Sequence, residues 1–234
     1  MKIQTSTYCI GIDGCKDGWV AVYCPVLAFD QAQAKHYTEL SQLRNDFIKP
    51  SIIIIDIPIG LETNEPNRSC DIEARKFLRN RSSTVFSPPC LEAIFSTDYN
   101  TAKEINLKRT GKSISKQSFF LSHKIRETKR FVEVEKQFDI REGHPECSFA
   151  EYQGKPLTNN KKGMLGILQR QAILNKLNFN LFKLAKMLPI NCGVKIDDLF
   201  DATILCWTAS RVFSGSSRTF PNSPSSVNSF CIHM

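Results

Sequence analysis

The chain has no apolar run approaching the ~20 residues that cross a membrane, so no membrane partner is expected. It also lacks any C-x-x-C pair: its nine cysteines are scattered and odd in number. That argues against a disulfide framework and a zinc site, and the expectation is reduced thiols and a cytoplasmic location. Cys9 and Cys206 sit in apolar runs and read as small core residues. Met1-Lys2-Ile3-Gln4-Thr5-Ser6-Thr7 has no apolar centre of the signal-peptide kind. Histidine is scarce, with four in the chain, and His144 has no second histidine at metal-binding spacing. The 11 glycines form no phosphate-cradling cluster, and the 16 phenylalanines fall mostly at core spacings rather than on a base-stacking platform. There are no internal repeats.

What is present is ordinary globular composition with uneven charge. Hydrophobic residues make up 41% and charged residues 23% of 234 positions, enough for one large domain. The net charge of +8 comes from one part of the chain. Residues 1–100 hold 10 basic against 12 acidic side chains, residues 101–190 hold 18 against 8, and residues 191–234 hold 3 against 3. A basic segment beside carboxylates suits a phosphate-backbone partner, although solvated helix faces give the same count.

Tyr8 to Val20 opens with alternating β-formers, places Asp13 where the strand ends and turns through Gly14 and Gly18 into a second strand, Val20 to about Phe29. Glu39 to Ile48 has helical spacing, stopped by Pro50. Ile52-Ile53-Ile54-Ile55 does not alternate, which marks a strand buried on both faces, and Asp56 follows it directly. A charged residue at the end of such a run needs a partner or a function. Helices are expected over Cys70–Arg81, as two or three between Leu91 and Gln137 with the clearest from Ser115 to about Lys136, and, as one or two, over Lys161–Leu188. A strand is expected at Phe138–Glu142, a turn at His144-Pro145-Glu146, and a last helix from Lys195 to Val212. From Ser214 the chain is rich in Ser and Pro and reads as a loose tail, with a short strand at Phe230-Cys231-Ile232.

In the last helix Ile196, Phe200, Ile204 and Trp207 form one stripe, and Asp198 and Asp201, three apart, share another side. First-turn electrostatics account for Asp197 or Asp198 but less well for Asp201, which lies a turn further in among bulky apolar residues. Asp13, Asp56 and the Asp198/Asp201 pair thus come from separate elements, the arrangement a hard divalent cation requires. Two-metal phosphodiester hydrolysis needs three or four such acids.

Five blocks carry a resemblance: Gly11-Ile12-Asp13-Gly14-Cys15-Lys16-Asp17-Gly18-Trp19-Val20, Ile55-Asp56-Ile57-Pro58-Ile59-Gly60-Leu61, Arg81-Ser82-Ser83-Thr84-Val85-Phe86, His144-Pro145-Glu146-Cys147-Ser148-Phe149 and Asp197-Asp198-Leu199-Phe200-Asp201-Ala202. In this order they resemble the predicted ribonuclease H-like nucleases of domain of unknown function 429. The acids are also laid out like those of RuvC-type resolvases. The resemblance implies an α/β fold, a ribonuclease H-like mixed sheet flanked by helices, with a basic, mainly helical insertion at about 65–190 in a single domain over 1–213 and a tail at 214–234. It implies a metal-dependent nuclease acting on DNA or RNA with Mg²⁺ or Mn²⁺. Asp13, Asp56, Asp198 and Asp201 would bind metal, and Glu146 would add a ligand or orient water. Arg81, Ser82, Ser83 and Lys162 would contact the substrate phosphates. Two other readings stand beside it: a non-catalytic nucleic-acid-binding module, and an actin-like or kinase-type phosphotransferase. The second needs a duplicated domain and glycine-rich loops for which this chain has neither the length nor the glycines.

Overall fold

The computed structural model describes residues 7–47, 51–222 and 230–234. The glycine turn expected after Asp13 makes a hairpin of β1 (Tyr8–Cys15) and β2 (Gly18–Pro25), and β3 (Gln33–Tyr37) pairs antiparallel with β2. On the other side of β1, β4 (Ile52–Ile55) and β5 (Asp139–Gly143) run parallel to it. β6 (Thr219–Phe220) and β7 (Ile232–His233) complete a seven-stranded mixed sheet in the order β3-β2-β1-β4-β5-β7-β6. The second strand ends at Pro25, short of the expected Phe29, because the chain leaves the sheet through Leu27 at positive φ.

Among the described residues there are nine helices: α1 (Leu43–Asp46), α2 (Ser69–Leu78), α3 (Tyr99–Thr110), α4 (Lys116–Phe120), α5 (Ser122–Val134), α6 (Pro145–Gln153), α7 (Met164–Lys176), α8 (Leu181–Met187) and α9 (Ile196–Phe213). The protein is therefore α/β. The isoleucine run behaves as expected of a strand covered on both faces. Ile54 packs with β1, β2 and α9 in one core, while Ile53 and Ile55 pack with Ile125 and Phe131 of α5 in another. A third, smaller core joins α2 and α6 to Phe220, Ile232 and Met234.

Four expectations are adjusted. The helix over Ser115–Lys136 divides at Leu121: Ser115 Oγ caps α4 by accepting from the Ser118 N–H at 3.0 Å, and Leu121 then packs toward the α5 core. Glu39–Ile48 shrinks to a 3-10 turn at Leu40–Gln42 and the single turn of α1, with Ile48 outside the described residues. His144-Pro145-Glu146 is a helix start rather than a turn, with Pro145 in the first turn of α6, where its missing N–H costs nothing. β5 lies inside the span expected as an insertion and is a central strand, so the helices fall into two crossovers, one before it and one after.

The tail also contributes to the sheet. Arg218 and Met234 exchange two backbone hydrogen bonds, 3.2 and 3.0 Å, around the β6–β7 pair. The strand expected at 230–232 begins two residues later, at Ile232, and residues 223–229 lie outside the described set.

One contact sets the geometry of the site. Gly11 faces α9 so closely that a Cβ there would come within 2.1 Å of Ala202 O and 2.2 Å of Cys206 N. Because side chains alternate along a strand, Asp13, two residues on, points to the same face. The same alternation runs from Ile54 to Asp56, whose N–H continues the parallel ladder to Ile12 O at 3.0 Å. α9 thus brings Asp201 over the strand ends that carry the other two acids.

Candidate functional site

β1, β4 and β5 lie side by side and parallel, and Asp13, Asp56 and the His144–Glu146 segment stand at or just beyond their carboxyl ends. In parallel sheets that edge is where connecting loops diverge and leave a crevice. Here the crevice is a cleft of about 480 Å³ walled by Asp13, Asp56, Glu146 and Asp201, with Arg81, Lys124, Lys161 and Lys162 among the cations along it. Ser83, Thr84 and His144 also line it.

Of the residues singled out by sequence, the cleft gathers Asp13, Asp56, Glu146, Asp201, Arg81, Ser83 and Lys162. Ser82 and Asp198 are not among its wall residues. Asp198 is half-buried, and its Oδ2 accepts from the Lys195 N–H at 2.8 Å, a capping contact at the start of α9. That is the structural role its first-turn position allows.

The remaining acids are not equivalent. Asp13 is 8% exposed and Asp201 1% exposed. Asp13 Oδ1 accepts from the Gly14 N–H at 2.7 Å, and Asp201 Oδ2 accepts from Lys161 Nζ at 2.6 Å, while Asp201 Oδ1 is buried without a partner. Burial first, and then the neighbouring carboxylates, push all three central acids upward. Asp13 lies well above the usual carboxylate range, raised further by Asp56 and Asp201. Burial raises Asp56 to about 6, with Lys161 pulling the other way and Glu146 adding to the rise. Asp201 is pushed up to about 7 by burial, again against the pull of Lys161.

Glu146 belongs to a different network. Its Oε1 accepts from Nη2 of the buried Arg170, and Arg81 Nε stands 3.6 Å from its Oε2. Arg170 Nη1 also donates to Asn159 O at 3.3 Å and Gly166 O at 3.0 Å. One guanidinium therefore ties the start of α6 to the loop that delivers Lys161. Gly166 fits against that loop with no room for a side chain, since a Cβ would sit 1.9 Å from Asn160 O.

Behind the central acids, Arg68 is 3% exposed and bridges Asp71 and Glu142, with its Nη2 2.6 Å from one carboxylate and 2.7 Å from the other. Glu142 Oε2 in turn accepts from the Ile59 N–H at 2.7 Å, which holds the loop that follows Asp56. Lys124, delivered by α5, donates to Gly18 O at 2.6 Å and lies 4.1 Å from the centre of the Trp19 ring. Burial lowers its pKa. His144 Nε2 lies 3.3 Å from Thr84 O, and burial holds the imidazole below its usual value and so neutral.

Arg170, Arg68 and Lys124 were not singled out by sequence. Arg170 carried a signal, because it shares the inward stripe of α7 with Ile173 and Leu174. A guanidinium on such a stripe requires a buried acid. In sequence Lys161 stands beside Lys162 as one of a solvated pair, and only the fold shows that it turns inward while Lys162 stays exposed.

No group of His, Cys, Asp and Glu side chains among the described residues is arranged to hold a metal ion. The Lys161 ammonium stands among the acids instead. In kind, however, the donors fit a hard divalent cation: they are carboxylate oxygens of buried Asp13 and Asp201 and half-buried Asp56, and Asp201 Oδ1 has no partner.

The fold and the cleft define an α/β protein with an acidic site at the carboxyl edge of a mixed sheet. Residues 11–226 match the family described as "Protein of unknown function (DUF429)", and the chain belongs to that family. No curated protein and no solved structure matches it.

Proposed function

We propose that the protein is a metal-dependent nuclease of ribonuclease H-like fold, hydrolysing phosphodiester bonds of DNA or RNA in the acidic cleft with Mg²⁺ or Mn²⁺. The observation that carries this reading is the convergence of buried Asp13 and Asp201 with half-buried Asp56, from two strand ends and a helix, beside cations suited to phosphate. The strand order β3-β2-β1-β4-β5, with β2 alone antiparallel to both its neighbours, supports the finer assignment of fold.

In this reading Asp13, Asp56 and Asp201 hold the metal, with Asp198 one turn back on α9. Bound there, a divalent cation would activate water and neutralise charge on the phosphate, in the manner of two-metal hydrolysis. Arg81, held from behind by Glu146, offers its outer guanidinium nitrogens to a phosphate oxygen. Lys162 and the Ser83 hydroxyl, both on the cleft wall, add further contacts. Glu146, engaged by Arg170 and Arg81, orients the arginine. Without a cation the carboxylates would repel a phosphate backbone, so substrate binding and metal binding are coupled.

The test is cleavage of labelled single- and double-stranded DNA and RNA with Mn²⁺ or Mg²⁺. Wild type is expected to shorten at least one of these substrates. Asp56→Asn is expected to lose on the order of 10²-fold or more of that activity while remaining folded. Equal activity in the variant would remove Asp56 from the machinery.

A further inference from the structure

We propose that Lys161 permanently supplies one of the two positive charges that two-metal hydrolysis requires, so that the cleft takes one divalent cation at Asp13 and Asp56 rather than two. The inference rests on the nuclease reading and changes its metal count.

The argument is one of charge and place. Glu146 is already balanced, since Arg170 and Arg81 both face it. Asp198 is half-buried and held by the Lys195 N–H at the helix start. Lys124 is directed to Gly18 O and the Trp19 ring. Asp13, Asp56 and Asp201 share the cleft with Lys161, whose ammonium pairs directly with Asp201. Seated on Asp201 Oδ2, the Lys161 ammonium takes the carboxylate that a second ion would share, which leaves Asp13 and Asp56 for one divalent cation.

The lysine is also built into place rather than resting there. Its Nζ lies 2.6 Å from Asp201 Oδ2, and its side chain is only 33% exposed. Its loop is clamped by Arg170 through Asn159 O and pressed against Gly166. An ammonium is compact and strongly hydrated, and can neutralise charge where a metal ion otherwise would. It cannot activate water as a Lewis acid, so that duty falls to the one cation.

Titration calorimetry with Mn²⁺ on the full chain tests this through stoichiometry, without reference to activity. Wild type is expected to bind one Mn²⁺ and Lys161→Gln two, while Lys161→Arg keeps one. In metal-free buffer the melting temperature of Lys161→Gln should fall below that of wild type and recover when Mn²⁺ is added. Two ions bound by wild type would overturn the role of Lys161 while leaving the nuclease reading intact. One ion of unchanged affinity in Lys161→Gln would do the same. No Mn²⁺ bound by wild type, with or without nucleic acid, would overturn the nuclease reading and this inference with it. Should Lys161→Gln fail to fold, the wild-type stoichiometry and Lys161→Arg still decide the question.

Discussion

Gly11→Val is expected to destabilise the protein by more than about 3 kcal/mol, enough to leave little folded material at ordinary temperature. The clash would be with main chain: Ala202 O at 2.1 Å, Cys206 N at 2.2 Å and the Leu205 carbonyl carbon at 2.6 Å from the first added atom. A flexible side chain could swing away from such a contact, but a helix backbone must move as a body. Moving α9 off β1 would open the core formed by Val20, Val22, Ile54 and Ile204, and would carry Asp201 away from Asp13. Gly11→Ala should follow the same direction with a smaller loss. Gly154→Ala is the control: nothing lies within 4 Å of its Cβ, so only the strain of its φ of +75° remains, about 1 kcal/mol. Urea unfolding of the three variants measures the order. Equal losses at Gly11 and Gly154 would mean that α9 does not rest on β1 at this point.

Arg170→Met is expected to cost about 3–5 kcal/mol, because it leaves Glu146 buried with only Arg81 nearby at 3.6 Å. The methionine fills most of the vacated volume, so the loss reports the stranded charge rather than a cavity. Removing the acid as well should restore much of the stability, since an apolar pair of similar volume is often as good as a buried ion pair. The double variant Arg170→Met with Glu146→Leu is therefore expected to be more stable than Arg170→Met alone by on the order of 2 kcal/mol. The double variant would still lack the clamp on Asn159 O and Gly166 O, so the loop carrying Lys161 would stay looser than in wild type. Chemical denaturation gives the stabilities, and hydrogen exchange at residues 159–163 reports the loop. Additive losses in the double variant would show that the two residues do not depend on each other.

Much of this organisation was legible in the sequence because it follows from periodicity. Four isoleucines in a row can only be covered on both faces, and the structure covers them so. The hairpin through Gly14 and Gly18, the last helix and the strand at 138–142 follow from the same local rules. Asp13 and Asp56 stood out because each is a charge at the end of an apolar strand. Asp201 stood out because first-turn electrostatics do not reach it.

What the sequence left open depends on partners far apart in the chain. Lys161 and Asp201 are 40 residues apart, and Glu146 and Arg170 are 24 apart. Neither pairing has a local signature, and Lys161 beside Lys162 reads as a solvated pair until the loop is folded. The start of α6 was missed because His-Pro-Glu has the composition of a turn, and Pro145 is equally at home in the first turn of a helix. The tail was read as loose because Ser and Pro dominate it, yet Phe220 and Ile232 bury themselves against α2 and α6 and carry two short strands into the sheet.

The measurement that tests the central claim most directly is Mn²⁺ binding by calorimetry to wild type and to the double variant Asp13→Asn, Asp56→Asn. Both substitutions keep the side-chain shape and remove a charge, and circular dichroism establishes that the fold persists. The account predicts stoichiometric binding by wild type and its loss in the double variant. Undiminished binding by the double variant would place the metal elsewhere in the molecule. No binding by wild type, even with a nucleic acid present, would contradict the account outright and leave the buried acids a structural role around Lys161.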